Sequence, residues 1–415
     1  MLKNKNHPSA RTNNNAVLAG FLGWTLDAFD FFILTFIMVD VAKDFHKSLP
    51  DIALTLTATL AMRPVGAFIF GLMADRYGRR RPMMINIIFY SIIEVLSGFA
   101  PNYLVFMTLR LLYGIGMGGE WGVGASLVME SVPAKRRGLL SGLLQEGYAV
   151  GFLLAGAAYY FIYPHFGWRM MFFIGGLPAL LTLFIRSKVK ETASWKSHKT
   201  SDWREYFHLS LKHWKLFLYL VILMSAMNLI SHGTQDLYPT FLQKQLHYGP
   251  HETALITMIS MVGAIAGGLV FGSLSDRWGR KRMIATAVIL GIALIPLWLH
   301  TGGMAVIASG AFGMQFMVQG AWGIIPAHIN ELSPGPLRGF FPGFAYQLGV
   351  VAASFIAYVE ALLAQHLSYA ASMEILAAAV LIFAAIAILA GPEAKGINFI
   401  REGHDPVKSV SKDLS

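Results

Sequence analysis

Eleven ionisable side chains interrupt stretches that are otherwise almost wholly apolar: Asp27, Asp30, Arg63, Glu94, Arg110, Glu120, Glu146, His232, Asp236, His328 and Glu360. If those stretches cross a bilayer, a charge at mid-depth costs at least about 2.5–3.5 kcal/mol on insertion scales, so each needs a reason. Arg63 lies near the centre of its stretch, where snorkelling is hardest. A guanidinium there can grip a carboxylate through two parallel hydrogen bonds, or it can pair internally with Asp27 or Asp30. Asp27 and Asp30 are three residues apart, and His232 and Asp236 four apart, so each pair shares a helix face. An imidazole with an ordinary pKa of about 6.5 beside a carboxylate suits proton handling. Glu120, set in Gly118-Gly119-Glu120-Trp121-Gly122, has small neighbours and could face a cavity and exchange a proton. Arg110 reads equally as structural or coupling. Glu94, Glu146 and Glu360 read as packed side chains, and His328 as either packed or lining a cavity.

These residues need elements to hold them, and the composition says which. Of 415 residues, 55% are hydrophobic and 13% charged, against roughly 25% charged in soluble domains. Twelve helical spans fit, at approximately 15–40, 52–74, 83–100, 103–130, 138–163, 168–188, 214–242, 252–274, 283–300, 303–331, 338–364 and 368–390. Each is near the ~20 residues that cross a bilayer core. A soluble enzyme and a disordered chain are both excluded. The absence of Cys removes disulfides, thiol catalysis and Cys-ligated metals. No metal-ligand spacing or nucleophile motif stands out, so neither a metal nor a cofactor is expected. The polar start (Lys3, Lys5, Arg11) leads into a long span without a cleavage pattern, so it does not read as a signal peptide.

The net charge of +10 is topological. Of the Lys and Arg residues, 27 fall in loops on one side, 4 on the other (Lys43, Lys47, Arg169, Lys244), and two inside spans. That asymmetry puts both termini and the long central loop in the cytoplasm, with the bacterial cytoplasmic (inner) membrane as the expected location. It leaves no basic patch that asks for a nucleic-acid partner. The expected organisation is a six-helix bundle over 1–188, a cytoplasmic loop over 189–213, a second six-helix bundle over 214–395 and a tail over 396–415.

The two halves repeat at a constant offset. Gly71-Leu-Met-Ala-Asp75-Arg76-Tyr-Gly78-Arg79-Arg80-Arg81 matches Gly272-Ser-Leu-Ser-Asp276-Arg277-Trp-Gly279-Arg280-Lys281-Arg282. The same offset pairs Trp121 with Trp322, Glu130 with Glu331, Pro133 with Pro334, Arg137 with Arg338 and Gly138 with Gly339. An even number of spans per copy makes the repeats parallel, with a substrate site expected near the midplane between them. The repeated motif reads as a gate at the cytoplasmic end of the second and eighth spans, formed by Gly71, Asp75, Arg76, Gly78 and Arg79 and by Gly272, Asp276, Arg277, Gly279 and Arg280. A loop anchor is the simpler alternative. Span seven, Asn228 to Thr240, is so polar that it should line a translocation path, with Gly233 and Pro239 weakening the helix.

The doubled Gly-x-x-x-Asp-Arg-x-Gly-Arg pattern resembles the signature of the major facilitator superfamily, and Arg110-Leu-Leu-Tyr-Gly114-Ile-Gly116-Met-Gly118-Gly119 resembles its Arg-containing fourth-helix motif. The resemblance implies an all-α membrane protein with twelve transmembrane helices in two parallel-repeated six-helix bundles, working by alternating access. The Gly-Pro motif of drug antiporters is not evident in 143–163. Asn228, Ser231, His232, Gln235, Asp236 and Thr240 match the Asn-x-x-Ser-His-x-Ser-Gln-Asp-x-x-x-Thr signature of Jen-type lactate permeases in the sialate:H⁺ symporter family, with Thr234 in place of a Ser. That likeness implies proton-coupled uptake of a short monocarboxylate such as lactate, pyruvate or acetate. The substrate would bind at Arg63, Asn228, Ser231, His232 and Gln235, helped by Tyr148 and Gln347. The proton would be handled by His232 and Asp236 with Asp27, Asp30 or Glu120. The partners are a small organic acid anion, a proton and the bilayer, and a monomer is compatible with this. A sialic-acid or larger organic-acid symporter, an exporter, a membrane-bound enzyme and a non-transporting sensor on the same scaffold are the competing readings.

Overall fold

The computed structural model describes residues 13–198, 203–299, 302–397 and 399. Residues 1–12, and with them Lys3, Lys5 and Arg11, lie outside the described residues, as does most of the 396–415 tail. Among the described residues every regular element is a helix. The first four spans are single helices: α1 (Asn14–Asp44), α2 (Leu49–Tyr77), α3 (Arg80–Gly98) and α4 (Tyr103–Ser131). The fifth is α5 (Arg137–Gln145) and α6 (Gly147–Phe161), and the sixth α7 (Tyr163–Ile174) and α8 (Ala179–Lys188). Two short helices follow, α9 (Ala193–His198) and α10 (Trp203–Lys212), in the stretch the sequence suggests as a loop. The second half runs α11 (Trp214–Gln235) with α12 (Tyr238–Lys244), α13 (Pro250–Trp278), α14 (Arg280–Trp298), α15 (Met304–Leu332), α16 (Phe341–Ala353) with α17 (Ile356–Leu363), and α18 (Tyr369–Ala390).

Seven of these segments are long and apolar enough to cross a bilayer on their own, and eight if the pair α7–α8, bent by 42°, counts as one. Helices α1 and α4, which fall short of that test, carry Asp27 and Asp30 or Arg110 and Glu120. Local sequence marks the starts. Asn13, Ser48, Asn102 and Ser368 each accept a backbone N–H with the side chain, and Ser48 forms a reciprocal capping box with Asp51. The break between α11 and α12 comes at Asp236 and Leu237, just before Pro239, which has no N–H to continue the ladder. Gly233 stays inside α11.

One apolar cluster draws on residues from Ala16 to Val189. A second draws on residues from Tyr206 to Ala394, joined by Trp24 and Trp121. Within each, small residues let backbones touch. A Cβ on Gly66 of α2 would lie 1.8 Å from the Ile115 carbonyl oxygen of α4, and one on Gly267 of α13 would lie 2.0 Å from that of Phe316 in α15. The two are one contact, made once in each copy of the repeat. Across the seam between the halves, α5 packs on α13 and α15, and α16 on α2 and α4. Gly122 and Gly343 meet there backbone to backbone.

This packing predicts an asymmetric response to small changes. Gly66→Val and Gly267→Val should each destabilise the fold by at least about 1–3 kcal/mol, read as a lower melting temperature in detergent. Gly156→Ala, whose Cβ would meet only Phe36 Cζ at 3.6 Å, should melt like the parent. Equal melting of all three variants would contradict the assigned helix contacts.

Candidate functional site

Arg63 sits at the middle of the 29-residue helix α2, roughly 21 Å from its Tyr77 end. Pro64 follows it and removes one rung of the helix. Gly118 and Gly114 of α4 press against the α2 backbone: a Cβ on Gly118 would be 1.9 Å from the Arg63 carbonyl oxygen. The backbone at Arg63 is therefore clamped, and only its side chain is free to reach the seam. Arg63 is 4% exposed, and among the described residues no carboxylate lies within ion-pair distance of it. Its Nη2 is 3.5 Å from the Tyr346 hydroxyl, its Cζ is 5.5 Å from that ring's centroid, and its Nε has no partner. Tyr346 belongs to α16 of the other half and packs between Trp121 and Trp322, ring centroids 4.4 and 5.8 Å away. A buried cation without an ion pair is costly, and an anion reaching the seam would supply one. The internal pair with Asp27 or Asp30 does not form.

Span seven adds the polar wall. His232 Nδ1 lies 3.1 Å from Asp236 Oδ2, and the two side chains are 41% and 39% exposed. Gln235 Nε2 donates to Gln315 Oε1 at 2.8 Å, and Ser231 Oγ accepts from Gln235 and from Gln319, both at 3.4 Å. Gln315 also donates to Thr234. Ser231, Thr234 and Gln235 of α11 thus meet amides of α15. Asn228 is buried and donates to Met224 O of its own helix at 2.8 Å. Tyr148 stacks on Trp24 at 5.5 Å, within electrostatic reach of Arg63 and Asp236. Gln347 is buried, with its Nε2 donating to Gly118 O at 3.3 Å, so it bridges α16 to α4.

The acids of the first half form a separate interior cluster. Arg110, which the sequence leaves between structure and coupling, pairs with Glu94, donates to Ser97 Oγ at 2.7 Å and lies 4.6 Å from the Tyr113 ring centroid. Glu94 therefore has the partner that its sequence context does not reveal. Asp27 and Asp30 are fully buried, and none of their carboxylate oxygens has a partner. Glu120 Oε2 accepts from Asn86 at 3.2 Å, while Oε1 is buried against Gly23 without a partner. A proton is the smallest addition that would supply a donor to these oxygens.

The doubled motif closes the seam at the face that carries most of the basic residues. Asp75 accepts from the Gly339 and Phe340 N–H groups at 2.7 and 3.1 Å. Asp276 accepts from Gly138 and Leu139 at 2.8 and 3.1 Å. Each carboxylate accepts from two successive N–H groups of the opposite half, at the start of α5 for Asp276 and in the turn that leads into α16 for Asp75. Behind them, Arg79 joins Asp75 to Glu130 (2.6 and 2.9 Å), and Arg280 joins Asp276 to Glu331 (2.8 and 2.9 Å). Arg137 reaches Glu331 across the seam at 2.6 Å, and Arg338 reaches Glu130 at 3.8 Å. Gly71 and Gly272 allow the approach, since a Cβ would meet Phe340 and Gly138 backbone at 3.0 and 2.6 Å. Gly78 and Gly279 turn the chain with φ of 96° and 105°, which suits glycine. Arg76 and Arg277 stand off the seam: Arg76 lies 5.4 Å from the Trp203 ring, and Arg277 is exposed.

Sequence reasoning assigns no role to several residues that hold this end. Thr192 donates to Glu130 (2.5 Å), Tyr206 to Asp75 (2.9 Å) and Trp195 Nε1 to Asp75 O (2.7 Å), all from the central stretch. Phe399, 3% exposed, has the Arg137 and Arg338 guanidinium carbons each 3.8 Å from its ring centroid. For the ion pairs a signal exists in the repeat, which matches Glu130 with Glu331 and Arg137 with Arg338; the aromatic in the tail has none.

Known proteins resemble this chain in sequence and, for a solved structure, in fold. The family description Major Facilitator Superfamily matches residues 20–237 and 237–413. A Saccharomyces cerevisiae carboxylic acid transporter protein homolog is 29% identical, over 95% of this chain and 70% of its own length. The Escherichia coli sialic acid transporter NanX is 31% identical, over 80% of this chain and 83% of its own. The solved structure of the proton:xylose symporter XylE superposes with a TM-score of 0.75 at 19% identity, covering 94% of this chain and 98% of that one.

Phe399→Ala should loosen the closed end. Two cation–π contacts of about 1 kcal/mol each give roughly a 30-fold shift toward opening. The chain has no Cys, so a Ser141→Cys reporter, buried at the seam and facing Ala327 N, can be labelled alone. Its maleimide labelling rate should rise in Phe399→Ala, and an unchanged rate would remove the tail aromatic from the closure.

Proposed function

The chain belongs to the Major Facilitator Superfamily, and on that premise we propose that it is a proton-coupled symporter of a short monocarboxylate, such as lactate, pyruvate or acetate. The observation that carries this reading is Arg63: a guanidinium buried at mid-depth on the seam, touching the other half through Tyr346 and lacking a counter-ion among the described residues. A carboxylate would supply the missing charge and two hydrogen bonds. The motif from Asn228 to Thr240 supports the same substrate class through its likeness to Jen-type permeases of the sialate:H⁺ symporter family. Two relatives are named for transport of carboxylic acid and of sialic acid.

In this reading residues 1–188 and 214–395 are the rocking units, joined by 189–213. The basic face is cytoplasmic, with both termini on that side of a bacterial inner membrane. The anion enters from the opposite face, passes His232 and Asp236, and reaches Arg63, with Gln235, Ser231, Tyr148 and the amides of α15 within the polar wall. His232 with Asp236 takes the proton first, because this pair is the accessible one. Asp27, Asp30 and Glu120 are deeper acceptors for it. Helix α2 carries both Arg63 and Asp75; Arg63 meets α16 at Tyr346, and Asp75 meets the turn that leads into α16. An anion that draws Arg63 away from Tyr346 therefore acts on the helix whose start the gate holds. Loading and release of the gate are coupled through one pair of helices.

One anion with one proton moves no net charge, whereas an uncompensated charge would feel about 2.3 kcal/mol per 100 mV. Uptake into proteoliposomes should be driven by an acidic outside and ignore an imposed potential. Strong potential dependence without a pH gradient would overturn the one-to-one stoichiometry. Competition between labelled lactate and sialate separates the short-acid reading from the sialic-acid alternative that the NanX likeness keeps open.

Arg63→Lys keeps the charge but loses the planar fork. It should weaken the apparent affinity for the carboxylate by at least about tenfold, the worth of one charge-assisted hydrogen bond. Unchanged affinity would remove Arg63 from the binding site.

A further inference from the structure

The repeat makes the two halves comparable residue by residue, and at the basic face they differ. In the first half, the Trp203 ring of α10 covers Arg76 at 5.4 Å, the Arg80 N–H donates to Glu191 of the central stretch at 3.1 Å, and Arg81 is exposed. Their repeat counterparts, Arg277, Lys281 and Arg282, instead line a cavity of about 900 Å³ between the start of α14 and the end of α18. After α18 the chain turns at Gly391, and Phe399 lies against Arg137 and Arg338 at the seam. Lys395 adds a fourth cation, and Glu393 is the one acid among the lining residues. Glu393 Oε1 is already engaged, accepting from the Arg280, Ala394 and Lys395 N–H groups at 2.9, 2.9 and 3.0 Å. Lys281 Nζ is spent on Gly391 O at 2.7 Å and Lys395 Nζ on Arg277 O. The side chains of Arg277 and Arg282 are exposed. The outer lip is apolar, with Trp278 and Leu389 58% and 51% exposed.

We infer that this cavity binds the phosphate headgroup of an anionic membrane lipid, with Arg277 and Arg282 facing the phosphate and an acyl chain lying along Trp278 and Leu389. The chemistry follows from the parts. Guanidinium forks match phosphate oxygens, ammonium groups fixed beside them raise the local potential, and the apolar lip at the end of two membrane helices suits a tethered tail. A free phosphate would satisfy the cations but leave the lip unused, so the lipid is the better fit. The inference rests on the membrane fold and the repeat, not on which acid is transported.

The test uses the full chain released from nanodiscs and read by native mass spectrometry. Phosphatidylglycerol should be retained in preference to phosphatidylcholine. Arg282→Gln should weaken that retention by about fivefold, the effect of one basic residue at an anionic surface. Lys395→Gln should weaken it similarly, and Arg81→Gln, the repeat equivalent of Arg282 that lies outside this cavity, should leave it unchanged. Millimolar inorganic phosphate should not displace the lipid. Equal retention of both lipids would overturn the inference, as would equal loss in Arg81→Gln and Arg282→Gln. Saturation of the site by inorganic phosphate alone would make it a free-anion site and overturn the lipid assignment.

Discussion

Two carboxylates, each capping the start of a helix in the opposite half, hold this molecule in its observed form. Asp75 accepts from Gly339 and Phe340, and Asp276 from Gly138 and Leu139. Backbone N–H groups at a helix start have no partner inside the helix, so a buried end must find one elsewhere. Here Asp75 and Asp276 supply partners from the other half, although the Phe340 N–H is shared with Leu337 O of its own half at 3.2 Å. The arginines behind the caps, Arg79 and Arg280, are buried with two acids each. Breaking a buried pair costs about 3–5 kcal/mol, so the closure is a two-position device and not a gradual one.

That closure defines what the centre can do. His232 and Asp236, near the far end of α11, are partly exposed. Arg63 lies between the two ends, fixed through its backbone by α4 and met from the other half by Tyr346. Arg63 is a mid-depth guanidinium without an ion pair among the described residues, set where the two halves meet, while Arg110, the other intramembrane arginine, pairs with Glu94 within the first half. The contrast between these two arginines is that one has a packed counter-ion and the other does not.

Much of this is legible in the chain. The constant offset between the halves locates the paired gates, and the apolar stretches locate the helices to within a few positions. The density of polar groups from Asn228 to Asp236 marks the stretch that meets the amides of α15. What is not legible is which partner each polar group finds. Gln315 and Gln319 look ordinary in α15, yet they satisfy Gln235 and Ser231. Glu94 looks solitary because its partner, Arg110, lies on the next helix. Arg76 and Arg277 share the motif with Asp75 and Asp276 but turn away from the seam, since consecutive side chains on a helix point about 100° apart. The central stretch reads as a loop because its two helices are short and polar, and they are held by docking on the gate and not by their own pattern.

The central claim is that loading the site at Arg63 opens the basic-face seam and closes the opposite one. Distances between spin labels on paired repeat positions test it most directly, since the chain supplies no native Cys. One pair is Arg81→Cys with Arg282→Cys at the basic face, and the other is Lys43→Cys with Lys244→Cys at the opposite face. Adding a short monocarboxylate at acidic pH should lengthen the first distance and shorten the second in the same sample. Distances that both stay fixed, or that move together in the same direction, would contradict the account.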